Sequence, residues 1–372
     1  MSLLDVCRSL LLGSALLSAT LVSAAQAKHY QVLHSFSGSD GASPNGDLVF
    51  DGAGNLYGTT VTGGANRRGA IFKLSPTGDF TLLYSFTGGS DGGGPETGLA
   101  IDPATGDLYG TNMEYGTYFA GCAFKLTSAG QLVPLHEFNN DTDGSAASAT
   151  LTRDAQGNFY GTTLQGGTSN GGAIFELTAD GGYQLRHTFT GADGAGSSGR
   201  LMLHGTDLYG TASGTIFDFN TNGTLTVLYA MTAPPNALGG GVARDRKGDL
   251  YGAALAGENG YIYKLSPDGT FSPFYTFTGG ADGRFALGEL LFSGKKHELY
   301  GATDRGGAHG DNGTIYKLDL KGNFTLLHGF AGAPDDGAEP TGGLVKRNGK
   351  LFGTTIRGGS NDMGTIFSVS NK

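Results

Sequence analysis

Arginine, tyrosine, histidine and carboxylate side chains gather in the least regular stretches of this chain. Arg67 and Arg68 come first, then Glu114, Tyr115 and Tyr118, then Glu258. Asp304, Arg305, His309 and Asp311 follow, and last Arg357 and Asp362. Around one opening, such residues could hold an acidic sugar, because a guanidinium pairs bidentately with a carboxylate. They could also remove a proton beside a uronate carboxylate. Tyr118 or His309 would then serve as base or acid, and Arg67, Arg305 or Arg357 would neutralise charge. The expected ligand-binding set is Arg67, Glu114, Tyr115, Tyr118, Asp304, Arg305, His309 and Arg357. The plain alternative is solvated loop polarity without a ligand.

A second group concerns metal. Asn139, Asp141, Asp143 and Gly144 have the oxygen spacing that opens a calcium loop. Ala147 and Thr150 stand at its ninth and twelfth positions, where further ligands belong. Calcium is thus the one cofactor the sequence raises. The alternative is a turn, because an Asp-Gly pair recurs at Asp40, Asp91, Asp143, Asp193, Asp282 and Asp336, with Pro235-Asn236 in the remaining copy. His34, His136, His187 and His328 share one repeat position with Tyr84, Tyr229 and Tyr275, which suits packing with a satisfied polar tip. Cys122 has no partner cysteine outside the N-terminal segment and reads as a small apolar strand residue. No nucleophile elbow, phosphate loop or zinc-ligand spacing is present.

What must position these residues is a repeat. Leu56-Tyr57-Gly58-Thr59 returns with its glycine at 110, 161, 210, 252, 301 and 353, a step of about fifty residues. Each copy reads as four strands, A to D. In the first, A is Asp47 to Phe50, B is Leu56 to Val61, C is Ala70 to Leu74 and D is Phe80 to Phe86. Turns of the Asp-Gly and Pro-x-Gly kind separate them. Tyr30 to Phe36 matches strand D, and the chain ends just after a strand C, Thr365 to Val369. A ring closed by the N-terminal strand would satisfy both edges. The fold class expected is all-β, a seven-bladed β-propeller of four-stranded blades spanning 28–372. In a propeller the D–A and B–C loops share one face, and here they are the long, variable ones, so any site belongs there.

These repeats resemble the GloVer tandem-repeat family of exported bacterial proteins. The resemblance is carried by Gly54 to Thr60, Gly63 to Leu74 and Ser85 to Gly92, and it extends over 30–369. It implies a propeller and export. Many members carry a C-terminal sorting or anchoring segment, and this chain ends after its last strand, which favours a free protein.

Residues 1–27 read as a signal peptide. Arg8 precedes an uncharged run rich in Leu and Ala that ends on Ala25-Gln26-Ala27. Periplasm or medium is the expected location, with no membrane span after cleavage and a monomeric state. The net charge of −9 excludes most phosphate-backbone binders, so no nucleic acid is expected. Two functional readings remain. One is a binding or interaction module, for an extracellular glycan or a protein partner. The other is a polysaccharide lyase or glycoside hydrolase working at the B–C loops.

Overall fold

A computed structural model describes residues 29–231 and 238–372. The leader and the Pro235-Asn236 departure lie outside the described residues. Within them there is no helix, and seven antiparallel four-stranded blades form the ring, the third with an extra short strand, Ser145–Ala147, on its B strand. Blade 1 comprises A (Val49–Phe50), B (Leu56–Thr60), C (Ala70–Leu74) and D (Phe80–Ser85), hydrogen-bonded in that order. The next five blades repeat it.

The last blade is assembled from both ends of the chain. Its A, B and C strands are Val345–Arg347, Lys350–Thr355 and Thr365–Ser370, and its D strand is Tyr30–Ser35. Tyr30 pairs with Val369 and Ser35 with Thr365, as the spare N-terminal strand predicts. Just beyond, Phe36 is fully buried, and its amide donates to the Gly364 carbonyl at 3.0 Å.

The repeated glycine has a steric cause. A Cβ at Gly58 would lie 2.6 Å from Phe72 Cζ and 2.8 Å from Leu48 Cδ2. The strand C aromatic and the strand A leucine close over the glycine, and both are buried. The threonine that follows ties neighbouring blades together. Thr59 Oγ1 donates to the Thr97 carbonyl at 2.6 Å, Thr211 to Gly240 at 2.6 Å and Thr354 to Gly46 at 3.4 Å. Each acceptor lies where the next blade's A strand begins, so in the five blades that carry the threonine this link draws A strands together around a central bore; Ala253 and Ala302 stand there in the other two.

The recurring aspartates and the recurring His/Tyr position are one unit. His34, His136, His187 and His328 bond Asp40, Asp143, Asp193 and Asp336 at 2.7–3.0 Å. Tyr84 and Tyr275 donate to Asp91 and Asp282 at 2.9 Å. The ring of each also packs on the following blade: His136 stacks on Tyr183 with centroids 3.6 Å apart, and His328 on Tyr30 at 3.7 Å. The structural reading of these histidines holds, with a partner that spacing alone did not reveal.

Candidate functional site

One buried leucine or valine precedes each A strand or, in blade 5, lies within it: Leu48, Leu99, Leu151, Leu201, Val242, Leu290 and Leu344. Alternation sends the preceding residue toward the bore. That column reads Asp47, Gly98, Thr150, Arg200, Gly241, Glu289 and Gly343. A repeat that is uniform elsewhere has here a ring of dissimilar side chains.

Hydrogen bonds knit the ring across the bore. Asp47 accepts the Gly343 amide at 2.6 Å and the Thr150 hydroxyl at 3.1 Å. Thr150 Oγ1 in turn accepts the Gly98 amide at 2.9 Å. Glu289 Oε1 accepts the Arg200 amide at 2.7 Å, reaching past blade 5. The glycines make these crossings possible. A Cβ at Gly98 would stand 2.6 Å from the Asp47 carbonyl oxygen, and one at Gly241 would stand 2.4 Å from that of Arg200.

The ring divides the bore. On the D–A and B–C side lies a mouth cavity of about 340 Å³ to which all seven blades contribute. Toward the opposite face lies one of about 540 Å³. Asp47, Glu289 and Gly343 line both, whereas Arg200 lines only the latter. There its Nε donates to Thr152 Oγ1 at 3.3 Å. Among the described residues, the ionisable side chains lining the mouth are Asp47, Glu96 and Glu289, with no lysine, arginine or histidine.

Burial among the blades pushes the Glu289 carboxyl up to about 8; the nearby Asp47 charge adds to this and Arg200 opposes it. Glu289 keeps contact with the space of the bore, yet protein surrounds it on every side. Glu96, at the rim, is also raised, by partial burial and then by Glu114.

The residues expected to form a loop site fall into two groups. Around blades 1 and 2, Arg68 donates to the Tyr115 hydroxyl and lies over its ring, 4.3 Å from the centroid. Glu114 approaches Glu96, Arg67 is exposed, and Tyr118 is 56 % exposed beside Phe119 at 79 %. Around blades 6 and 7, Arg305 holds Asp304 and Glu339, each at 3.1 Å. Arg357 holds Asp362 at 2.5 Å, and Arg284 holds Asp311 at 2.8 Å. His309 is exposed. No hydrogen bond or ion pair joins the two groups among the described residues. Two of the expected arginines, Arg305 and Arg357, therefore already face carboxylates of their own chain, as does the neighbouring Arg284.

The calcium candidate is arranged as a turn. Asp143 uses one carboxylate oxygen on His136 and the other on the Asn139 amide, at 2.7 and 2.9 Å. Asn139 Oδ1 accepts the amides of Asp141 and Thr142 at 3.1 and 3.2 Å. Asn139 and Asp143 thus turn their side-chain oxygens to local donors. Among the described residues no three His, Cys, Asp or Glu side chains gather as metal ligands do. Cys122 is buried, and its thiol is pushed up to about 12 by that burial.

The repeat model named for Gloeobacter and Verrucomicrobia matches 17–214 and again 212–372. The chain belongs to this repeat family. Among curated proteins no relative matches. Of solved structures, a streptogramin B lyase is similar with a TM-score of 0.63 at 16% identity, covering 92% of this chain and 97% of that one. Virginiamycin B lyase from Staphylococcus aureus is similar at 0.60 and 14%, covering 92% and 98%. A protein from Lactobacillus plantarum is similar at 0.54 and 17%, covering 77% and 84%. At such identities the likeness establishes the fold these repeats adopt and nothing of their chemistry.

Proposed function

We propose that this Gloeobacter/Verrucomicrobia repeat protein is an exported ligand-binding propeller that takes the end of an extracellular glycan into its mouth cavity. The observation that carries the reading is the cavity itself. Seven A-strand entries converge on a space within the size range of small-molecule sites, about 300–1,000 Å³. Its lining sets hydrogen-bonding groups, Asn45, Ser148, Thr150, Ser198 and Thr341, beside apolar Leu238, Leu255, Leu287 and Ile356. Sugars need this mixture of donors and acceptors. Tyr118 and Phe119, exposed on the same face, offer rings against which a longer chain could stack.

A glycan array probed with residues 28–372 tests the reading. Ser198 lines the cavity from an exposed position, so Ser198→Trp should fill the mouth without disturbing the core. Binding that survives this substitution would move the site elsewhere, first to the Arg67, Tyr118, Arg305, His309 and Arg357 loops.

A catalytic reading, as lyase or hydrolase, has one specific support. Asp47 and Glu289 are neighbouring carboxyls of which one is held protonated near neutral pH, a division that acid–base catalysis uses. Tyr118 and His309 are exposed and lack a comparable environment. Release of unsaturated or reducing ends from an array hit by wild type, and its loss in Glu289→Gln, would favour this reading over binding alone.

A further inference from the structure

Resting on the binding reading, the geometry points to the charge of the ligand: we propose that the mouth takes an amine-bearing sugar, with its ammonium against Glu289 and its hydroxyls against the rim. The expectation of an anionic glycan rested on Arg67, Arg305 and Arg357; Arg305 and Arg357 are each paired with a carboxylate, and Arg67 is exposed outside the mouth lining. Among the described residues inside the mouth, the ionisable side chains are carboxyls alone. The net charge of −9 has the same sign. At close range charge complementarity sets which partners are rejected, and an anion entering here would meet Glu96 at the rim and Asp47 on the floor.

Two partnerless groups mark where the ligand's donors would go. Glu289 gives Oε1 to the Arg200 amide, while Oε2 has no protein donor among the described residues. Asp47, by contrast, already accepts with both oxygens. Ser148 Oγ, also in the lining, is shut from solvent with no hydrogen-bond partner. Buried polar groups are nearly always paired, so the Ser148 hydroxyl asks for a ligand atom or an ordered water, and Glu289 Oε2, on the space of the bore, stays free to accept from one. An ammonium supplies three donors and no acceptor, which suits a carboxylate floor.

The groups facing Glu289 around the ring are Asp47 from blade 1 and Arg200 from blade 4. Blades 2, 5 and 7 present glycine there, and blade 3 presents Thr150. With its carboxyl raised, Glu289 carries a proton at neutral pH. When an ammonium seats against it, the carboxyl O–H proton leaves to buffer and the carboxylate pairs with the cation, so charge balances. Binding is therefore coupled to proton release.

The test is calorimetric titration of residues 28–372 at about pH 6, where both partners hold their protons. The probes are a glucosamine tetrasaccharide, its N-acetylated counterpart and a galacturonate tetrasaccharide. Titrations in two buffers of different ionisation enthalpy count released protons. The expected result is at least about tenfold tighter binding of the glucosamine oligomer with proton release, both lost in Glu289→Gln. Should Glu289→Gln fold poorly, Glu96→Gln at the exposed rim provides the second variant, with a several-fold weaker affinity expected. Equal affinity for the acetylated oligomer would overturn the charge assignment and leave the glycan reading standing. Tighter binding of galacturonate would overturn it as well. Absence of binding by all three, with no hit on the array, would remove the reading beneath it.

Discussion

Removing a hydroxyl from the core of blade 5 or blade 6 should stabilise the protein. Five blades place phenylalanine across the repeat glycine, and these two place Tyr263 and Tyr316 there. Both rings are fully buried, and neither hydroxyl has a hydrogen-bond partner. A Cβ at Gly252 would lie 2.2 Å from Tyr263 Oη, and one at Gly301 would lie 2.4 Å from Tyr316 Oη, so each hydroxyl is wedged against backbone. A buried donor left unsatisfied costs about 1–3 kcal/mol. Phenylalanine removes that cost and leaves a gap the size of one oxygen, in a setting the other blades already pack with Phe. Tyr263→Phe and Tyr316→Phe should each gain about 1 kcal/mol, or roughly 2 °C or less in Tm for a chain of this length. Urea unfolding and differential scanning calorimetry would measure it. A loss of about 1 kcal/mol or more in either variant would refute the reasoning and place an ordered water on that hydroxyl.

Three further outcomes follow from the same geometry. Phe36→Ala, which empties a fully buried site at the closure of the ring, should cost about 3–5 kcal/mol in urea unfolding; a cost under 1 would show that the N-terminal strand does not hold the last blade. Gly161→Ala drives a Cβ to 2.4 Å from Phe175 Cζ and should cost at least about 1–3 kcal/mol, whereas Gly78→Ala meets nothing within 4 Å and should cost only the strain of its +93° φ, about 1–2 kcal/mol. Glu289 has a folded pKa above its ordinary value, so its contribution to stability is full below about pH 4.5 and fades as pH rises through about 8. Glu289→Gln should therefore match wild type near the acid end and exceed it by up to a few kcal/mol near pH 9. A Tm difference that stays flat between those limits would remove the raised carboxyl.

The ring was legible because the repeat is so regular. The Tyr-Gly-Thr column, the strand C aromatics and the duplicated strand D at Tyr30–Ser35 give blade count and closure together. The histidines and aspartates were each legible as structural, but their pairing was not, since it depends on a loop folding back over six to eight residues. The bore residues were missed because Asp47, Thr150, Arg200 and Glu289 each look like an ordinary polar residue at the start of a strand. Aligning the seven copies on Leu48 and reading the column before it would have isolated them. The loop arginines drew attention for their charge alone, and sequence does not reveal that Glu339, from a different loop, reaches Arg305.

Hydrogen exchange on the ligand-bound protein addresses the central claim most directly. With the tightest array ligand added, slowed exchange should appear at the mouth, in 45–47, 96–98, 148–150, 287–289 and 341–343, from blades far apart in sequence. Protection confined to the loops at 113–121 and 304–311, or to the opposite-face turns at 75–79 and 127–131, would contradict the account.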